Sequence, residues 1–326
     1  MFGSEEHRRG GLRVMREDKE NFINSKKRRT ICKNSDNLRK ELESKLKRKP
    51  LLLRRESFQK HTPSLRMVTE DHHSEIYNHL KNSQSRRVDC DYLQRQPQLS
   101  GRMRAILIDW MVDVGSKFRF STHCLALSVL YLDSYLSTEL IDKNKFQLIG
   151  VVSLLIAGKV EQIHPISLKQ AVLVCDNAYT ADLIKETELK VLETLNFQLN
   201  LPTPAAFLDH FSLMTDFQNV ELCYSRYISE ASLLDLPISK YPPFTQALAS
   251  VFLVSKIFKN NSFENLINYE NNLNIRVIKD CAKELYVLLQ KHELSSLSAV
   301  KRKYSTEEFF EVSKYKLSNK RKNEGN

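Results

Sequence analysis

Glycine is scarce: eight among 326 residues, at positions 3, 10, 11, 101, 115, 150, 158 and 325, with none from Lys159 to Glu324. Tight hairpins, phosphate-binding loops and dinucleotide folds lean on glycine for positive φ or close backbone approach. Its lack argues against a β-sandwich, a Rossmann domain or a P-loop fold in the C-terminal half, and an all-α fold needs the fewest glycines. Cysteine is equally uninformative as a framework. The six (Cys32, Cys90, Cys124, Cys175, Cys223, Cys281) include no C-x-x-C pair, and four lie inside apolar helical patterns. Such cysteines read as reduced, small hydrophobes rather than as disulfides or metal ligands. The longest near-continuous apolar run, Gly150 to Gly158, is about half a membrane span. The charged start, Met1 to Gly10, does not read as a signal peptide. These features predict a soluble chain in a reducing compartment, with no membrane contact. Also missing are a Gly-rich phosphate loop, H-E-x-x-H, G-x-S-x-G and any metal-spaced cluster. His123, His164 and His210 stand apart in sequence. No catalytic residue, metal or cofactor is expected.

What is present is basic charge, unevenly spread. The formal charge is +11. Residues 1–70 hold 20 Lys+Arg and 10 Asp+Glu, and the remaining 256 hold 30 and 29. The first segment also lacks sustained apolar periodicity. Residues 1–68 therefore read as a disordered basic tail, followed over 69–100 by a helix and a polar connector. In that helix, from Ser74 to Leu80, Ile76 and Leu80 stand four apart.

Helical segments then follow in series: 102–114, 122–137, 145–160, 168–176 and 181–195, the last with Thr180 as N-cap. Pro202 and Pro204 end the pattern and mark a boundary between domains at 101–201 and 202–295. Helical rhythm resumes over 204–214, 219–235, 243–260, 263–271 and 275–292. Residues 296–326 read as a basic, frayed C-terminal tail. A weak repeat links the halves: Gly150-Val-Val-Ser-Leu-Leu-Ile-Ala-Gly-Lys159 recurs 97 positions later as Ala247-Leu-Ala-Ser-Val-Phe-Leu-Val-Ser-Lys256. Small residues in register let helices approach closely. The pattern predicts two five-helix domains, each built round a buried central helix.

The most informative stretch is Met103 to Val114. On a 3.6-residue wheel Met103, Ile106, Leu107, Trp110 and Val114 form one stripe, and Ala105, Ile108, Met111 and Val112 cover much of the rest. Only Arg104, Asp109 and Asp113 interrupt. Such a helix is buried centrally or exposes part of itself as a contact surface. The residues themselves, Met-Arg-Ala-Ile-Leu-Ile-Asp-Trp-Met-Val-Asp-Val, closely resemble the first helix of the cyclin box, and are most similar to mitotic cyclins of the A and B types. Further similar stretches follow in order: Leu125 to Ser137, Lys145 to Pro165, Thr180 to Phe197, and Leu201-Pro-Thr-Pro-Ala-Ala-Phe-Leu208. The resemblance spans roughly Thr69 to Lys291. It implies an all-α chain of two tandem five-helix cyclin folds, preceded by the tail and one docking helix.

The resemblance also implies two contact surfaces. In the family an apolar patch on the first helix docks Arg-x-Leu peptides of substrates and inhibitors. Here it corresponds to Met103, Ile106, Leu107 and Trp110, with Asp113 receiving the peptide's arginine and Gln147 as polar neighbour. The physics suits this, since an apolar groove anchors the leucine and a rim carboxylate adds a charge-assisted hydrogen bond. The kinase-binding surface corresponds to Lys159 and Glu188, with apolar contacts from Ile156, Val160, Leu192 and Phe197. Departures from the family pattern are Ser134 in place of arginine, Val160 in place of phenylalanine, Gln162 in place of the second glutamate, and His72 and His79 where tyrosines flank the isoleucine of the first segment. They bear on the choice of kinase. The implied function is a non-catalytic subunit that activates a cyclin-dependent kinase as a heterodimer and acts at the G2/M transition.

In the tail, Lys19-Glu20-Asn21 matches a destruction signal read by the anaphase-promoting ubiquitin ligase. Arg9-Gly-Gly-Leu12 and Arg39-Lys-Glu-Leu42 fit the core of a destruction box but lack its later asparagine. Lys26 to Arg29 and Lys47 to Lys49 fit import signals, giving an expected location in nucleus and cytoplasm. Few aromatics accompany the basic residues, so no specific nucleic-acid binding is expected. A general transcription factor shares the cyclin fold, but that family carries an N-terminal Cys-rich zinc ribbon, and this chain has only Cys32 in its first 89 residues.

Overall fold

The computed structural model describes residues 72, 74–85, 89–214, 217–270 and 273–315. The Lys19–Asn21 motif, both Arg-x-x-Leu stretches and both basic runs lie outside them. The described residues form twelve α-helices, short 3-10 turns and no strand. Helix α1 covers 74–82. A first group follows: α2 (Gly101–Lys117), α3 (Thr122–Thr138), α4 (Phe146–Glu161), α5 (Leu168–Val174) and α6 (Ala181–Thr194). A second group comprises α7 (Pro204–Met214), α8 (Asn219–Ser232), α9 (Pro243–Phe258), α10 (Ser262–Tyr269) and α11 (Ile275–Leu294), and then comes the short α12 (Ala299–Lys303).

The helices start where hydroxyl caps allow. Ser100, Ser121 and Thr180 each accept a hydrogen bond from the backbone N–H three residues on, and Ser167 forms a reciprocal capping box with Gln170. Helix α8 stops at Ser232, short of the expected Asp235. The chain there turns into a 3-10 segment, Leu236–Lys240, with Pro237 in its first turn.

The internal repeat marks the centre of each group. Helix α4 touches α2, α3, α5 and α6, and α9 touches α7, α8, α10 and α11. From Leu148 to Gly158 every residue of α4 is buried. Its two glycines allow close approach: a Cβ on Gly150 would lie 3.0 Å from Leu107, and one on Gly158 would lie 3.1 Å from Phe120. In the second copy Ser255 stands where Gly158 does, and its hydroxyl accepts the N–H of Phe263 at the start of α10.

Helix α1 docks on the second group. The Tyr77 ring stacks on His210 with centroids 4.4 Å apart, its hydroxyl donates to Glu270, and Lys81 pairs with Glu270 at 2.7 Å. Ile76, four residues before Leu80, is 41% exposed, and Tyr77 takes the anchoring role.

The C-terminal stretch corrects a second expectation. From Ala299 to Tyr315 it is packed rather than frayed: Ala299, Val300, Tyr304 and Val312 are buried. The Ala299 N–H donates to Asp109 Oδ1 at 2.9 Å, and Lys303 and the Tyr304 hydroxyl both bond Glu230 Oε1, as does the Thr122 hydroxyl. Helix α12 thus lies against α2 and α8. Arg302 and Lys303 have partners far away in sequence, which is why the segment's composition resembles a solvated tail.

A buried ion pair joins these parts. The Arg104 guanidinium grips Asp133 with two bonds, Nε–Oδ1 at 2.7 Å and Nη2–Oδ2 at 2.6 Å. Tyr92 donates to the same carboxylate at 2.8 Å, and Arg104 Nη1 donates to the Leu233 carbonyl at 3.0 Å. Both charged side chains are nearly inaccessible. The cluster connects the segment before α2, helices α2 and α3, and the second group just after α8. Removing one partner of a buried pair leaves the other charge uncompensated, which costs about 3–5 kcal/mol. Asp133→Ala is expected to lower unfolding free energy by about that much in urea titration, and Arg104→Met with Asp133→Leu to lose less than the single change. A loss of under about 1 kcal/mol for Asp133→Ala would show that the cluster is not a keystone.

Candidate functional site

The first candidate surface lies where α4 leaves the core beside α6. The buried run of α4 ends at Gly158, and Lys159, Val160 and Glu161 emerge exposed. Helix α6 buries Ile184, Thr187 and Val191 and turns its other face outward. Lys159 Nζ donates to Glu188 Oε1 at 2.5 Å. This pair flanks an open depression of about 410 Å³ lined by Ile156, Val160, Leu189, Leu192 and Leu199, with Lys185 also at its edge. Ile156 is 2% exposed and shapes the depression from below, whereas Val160 and Leu189 are 41% and 52% exposed. Sequence reading missed Leu189, Lys185 and Leu199. The available signal was Leu189 itself, an apolar residue off the buried stripe of α6 and next to Glu188.

Phe197 lies just beyond α6 and is 61% exposed. It has φ 55° and follows Asn196 at φ 50°. Its N–H donates to the Leu192 carbonyl at 2.9 Å, closing the helix end. A bulky side chain held in the left-handed region without burial is strained, and such strain persists where the surroundings or a function require it.

The second candidate surface is the outer face of α2. Met103, Ile106 and Trp110 are half-buried there. Leu107 is turned inward, against Gly150, and contributes to packing more than to surface. Gln147, one turn before Gly150 on α4, is half-buried. The Trp110 Nε1 is buried without a hydrogen-bond partner among the described residues. Asp113 is engaged by Arg302 from the C-terminal segment, with Nη2–Oδ1 at 2.5 Å. This partner had no sequence signal, because it lies 189 residues away.

Neither surface presents reactive chemistry. Burial pushes the Cys124, Cys175, Cys223 and Cys281 thiols up to about 12, so they stay protonated at neutral pH. Among the described residues no group of three or more His, Cys, Asp or Glu is placed to hold a metal ion, and no helix is long and apolar enough to cross a membrane. The two surfaces combine apolar area with a few fixed charges, an arrangement suited to binding protein partners.

Comparison with known proteins adds independent findings. Residues 75–200 match the family model of the cyclin N-terminal domain, and residues 202–318 match that of the cyclin C-terminal domain. The chain is 31% identical over 241 residues to the G2/mitotic-specific cyclin-A of Patella vulgata, covering 73% of this chain and 57% of that protein. It is 33% identical over 254 residues to cyclin-A1-4 of Oryza sativa subsp. japonica, covering 74% and 70%. To the G2/mitotic-specific cyclin-B3 of Gallus gallus it is 31% identical over 240 residues, covering 74% and 60%. The match thus spans 57% of the limpet protein and 60% of the chicken protein. In fold it is similar to a viral cyclin from herpesvirus saimiri, with TM-score 0.55 and 19% identity over 64% of this chain and 96% of that one.

The strained turn makes a specific prediction. Asparagine tolerates the left-handed region, and a residue that does not costs about 1 kcal/mol there. Phe197→Asn is expected to leave unfolding free energy unchanged or raise it by up to that amount in urea titration. Clear destabilisation would mean that the ring is held by packing within the chain.

Proposed function

The chain belongs to the cyclin family, and we propose on that premise that it is a regulatory subunit that binds and activates a cyclin-dependent serine/threonine kinase. The observation that carries this reading is the depression between α4 and α6, which joins exposed apolar side chains to the Lys159–Glu188 pair, and whose Leu192 accepts through its carbonyl the N–H of the strained, exposed Phe197. As an isolated surface ion pair Lys159–Glu188 is worth about 0–1 kcal/mol. In contact with a partner the two side chains exchange each other for main-chain groups around the kinase's mobile C helix, while Val160, Leu192 and Phe197 cover its apolar face. The mechanism is a population shift. The subunit binds the active placement of the C helix, so the kinase's own Lys–Glu ion pair closes and its activation loop opens. The subunit supplies no catalytic group.

The relatives named as G2/mitotic-specific support action at the G2/M transition, and the basic runs Lys26 to Arg29 and Lys47 to Lys49 fit a location in nucleus and cytoplasm. The outer face of α2, with Met103, Ile106, Trp110, Asp113 and Gln147, then recruits Arg-x-Leu substrates or inhibitors. The Lys19-Glu20-Asn21 motif supports removal through the anaphase-promoting ubiquitin ligase at mitotic exit.

Recombinant chain added to a mitotic cyclin-dependent kinase is expected to raise phosphorylation of a histone-type substrate, and no rise would refute the reading. Lys159→Ala with Glu188→Ala is expected to weaken kinase binding by about 2 kcal/mol or more, in the range of interface hot spots, with helical circular dichroism unchanged. Unaltered binding by that double variant would move the interface elsewhere. Deleting Lys19–Asn21 is expected to lengthen the protein's lifetime at mitotic exit, and unchanged turnover would remove the motif from the account.

A further inference from the structure

Helix α12 is fixed against α2 by contacts that place one arginine with little freedom. The Ala299 N–H is bound to Asp109, and Lys303 and Tyr304 are bound to Glu230, with Tyr304 wholly buried. Arg302, between those anchors, therefore reaches the next turn of α2. Its guanidinium is held at both ends: Nη2 donates to Asp113 Oδ1 at 2.5 Å, and Nη1 donates to Ser298 Oγ at 2.8 Å. Asp113 is the carboxylate assigned above to receive the arginine of a docked peptide.

We propose that Arg302 is an intramolecular occupant of the arginine subsite of the docking patch, so that this chain selects peptides by their apolar anchor rather than by their arginine. The inference rests on the docking reading of α2. An incoming arginine must exchange with Arg302, which leaves the number of ion pairs at Asp113 unchanged. The exchange is open, because the side chains of Arg302 and Asp113 are 56% and 27% exposed. Being tethered, Arg302 competes at an effective concentration on the order of millimolar or above. Sharing the carboxylate is disfavoured, because it would bring two guanidinium groups together. The specificity-determining residue is thus supplied by the C-terminal segment, not by α2.

The test measures dissociation constants, by fluorescence anisotropy on the full-length chain, for two labelled peptides: one containing Arg-x-Leu and its twin with alanine for arginine. Replacing the peptide's arginine is expected to weaken binding less than about 2-fold on the wild type, but about 5-fold on Arg302→Ala, the upper range for an exposed ion pair. Lys301→Ala removes the same charge without vacating Asp113 and is expected to behave as wild type. Equal arginine dependence on wild type and Arg302→Ala overturns the inference alone. So does an equal gain in Lys301→Ala, which would assign the effect to net charge. If neither peptide binds any of these proteins, and Trp110→Ala changes nothing in kinase substrate choice, the docking reading falls and takes this inference with it.

Discussion

The bidentate grip of Arg104 on Asp133 is the constraint on which the remaining arrangement depends. Two charges withdrawn from water are tolerated only where geometry and extra hydrogen bonds compensate. Here Tyr92 completes the carboxylate, and the Leu233 carbonyl takes a third guanidinium donor. Satisfying one buried charge therefore fixes four chain segments at once. It sets the rotation of α2: with Arg104, Ile108 and Met111 pointing inward, Met103, Ile106 and Trp110 face outward. It also ties the first helical group to the second through main chain, a link indifferent to the side chain at 233.

The central helix of the first group couples the two contact surfaces. Gln147 stands in its first turn and Lys159 in its last, so the two candidate faces are roughly 18 Å apart along one axis. Everything between is buried, and Gly150 and Gly158 leave no slack against Leu107 and Phe120. A rod packed this tightly transmits position and holds the two candidate faces at a set spacing.

Much of this was legible in the sequence, because periodicity and punctuation are local. Thr180 capped the helix where expected, Pro204 opened α7, and the Gly150–Lys159 repeat marked both central helices. What escaped was polar and long-range. Arg104 and Asp109 looked like interruptions of an apolar helix, and Asp133 and Glu230 drew no reading, yet each is buried on a partner 29 to 190 residues away. The C-terminal segment escaped for the same reason. Its buried apolar residues, Ala299, Val300, Tyr304 and Val312, are few, and its lysines mimic a tail until Glu230 is seen beside Lys303. At the candidate site the motif positions were legible, while Leu189 and the Arg302 contact belong to tertiary structure.

The docking of α1 on the second group, not on the group that follows it in sequence, sets a load path. Among the described residues, a pull from the amino-terminal side is borne first by the stack of Tyr77 on His210 and by the Lys81–Glu270 pair. Once that helix peels away, tension runs along the connector to Tyr92 and from its hydroxyl into Asp133. The mechanical weak point and the thermodynamic keystone are thus in series. Among the described residues, a machine that threads the chain from its amino-terminal side meets a short, mostly exposed helix and then the Arg104 cluster. Rupture of that cluster removes one link between the helical groups and leaves the Thr122–Glu230 bond and the packing of α12 on both to be broken next.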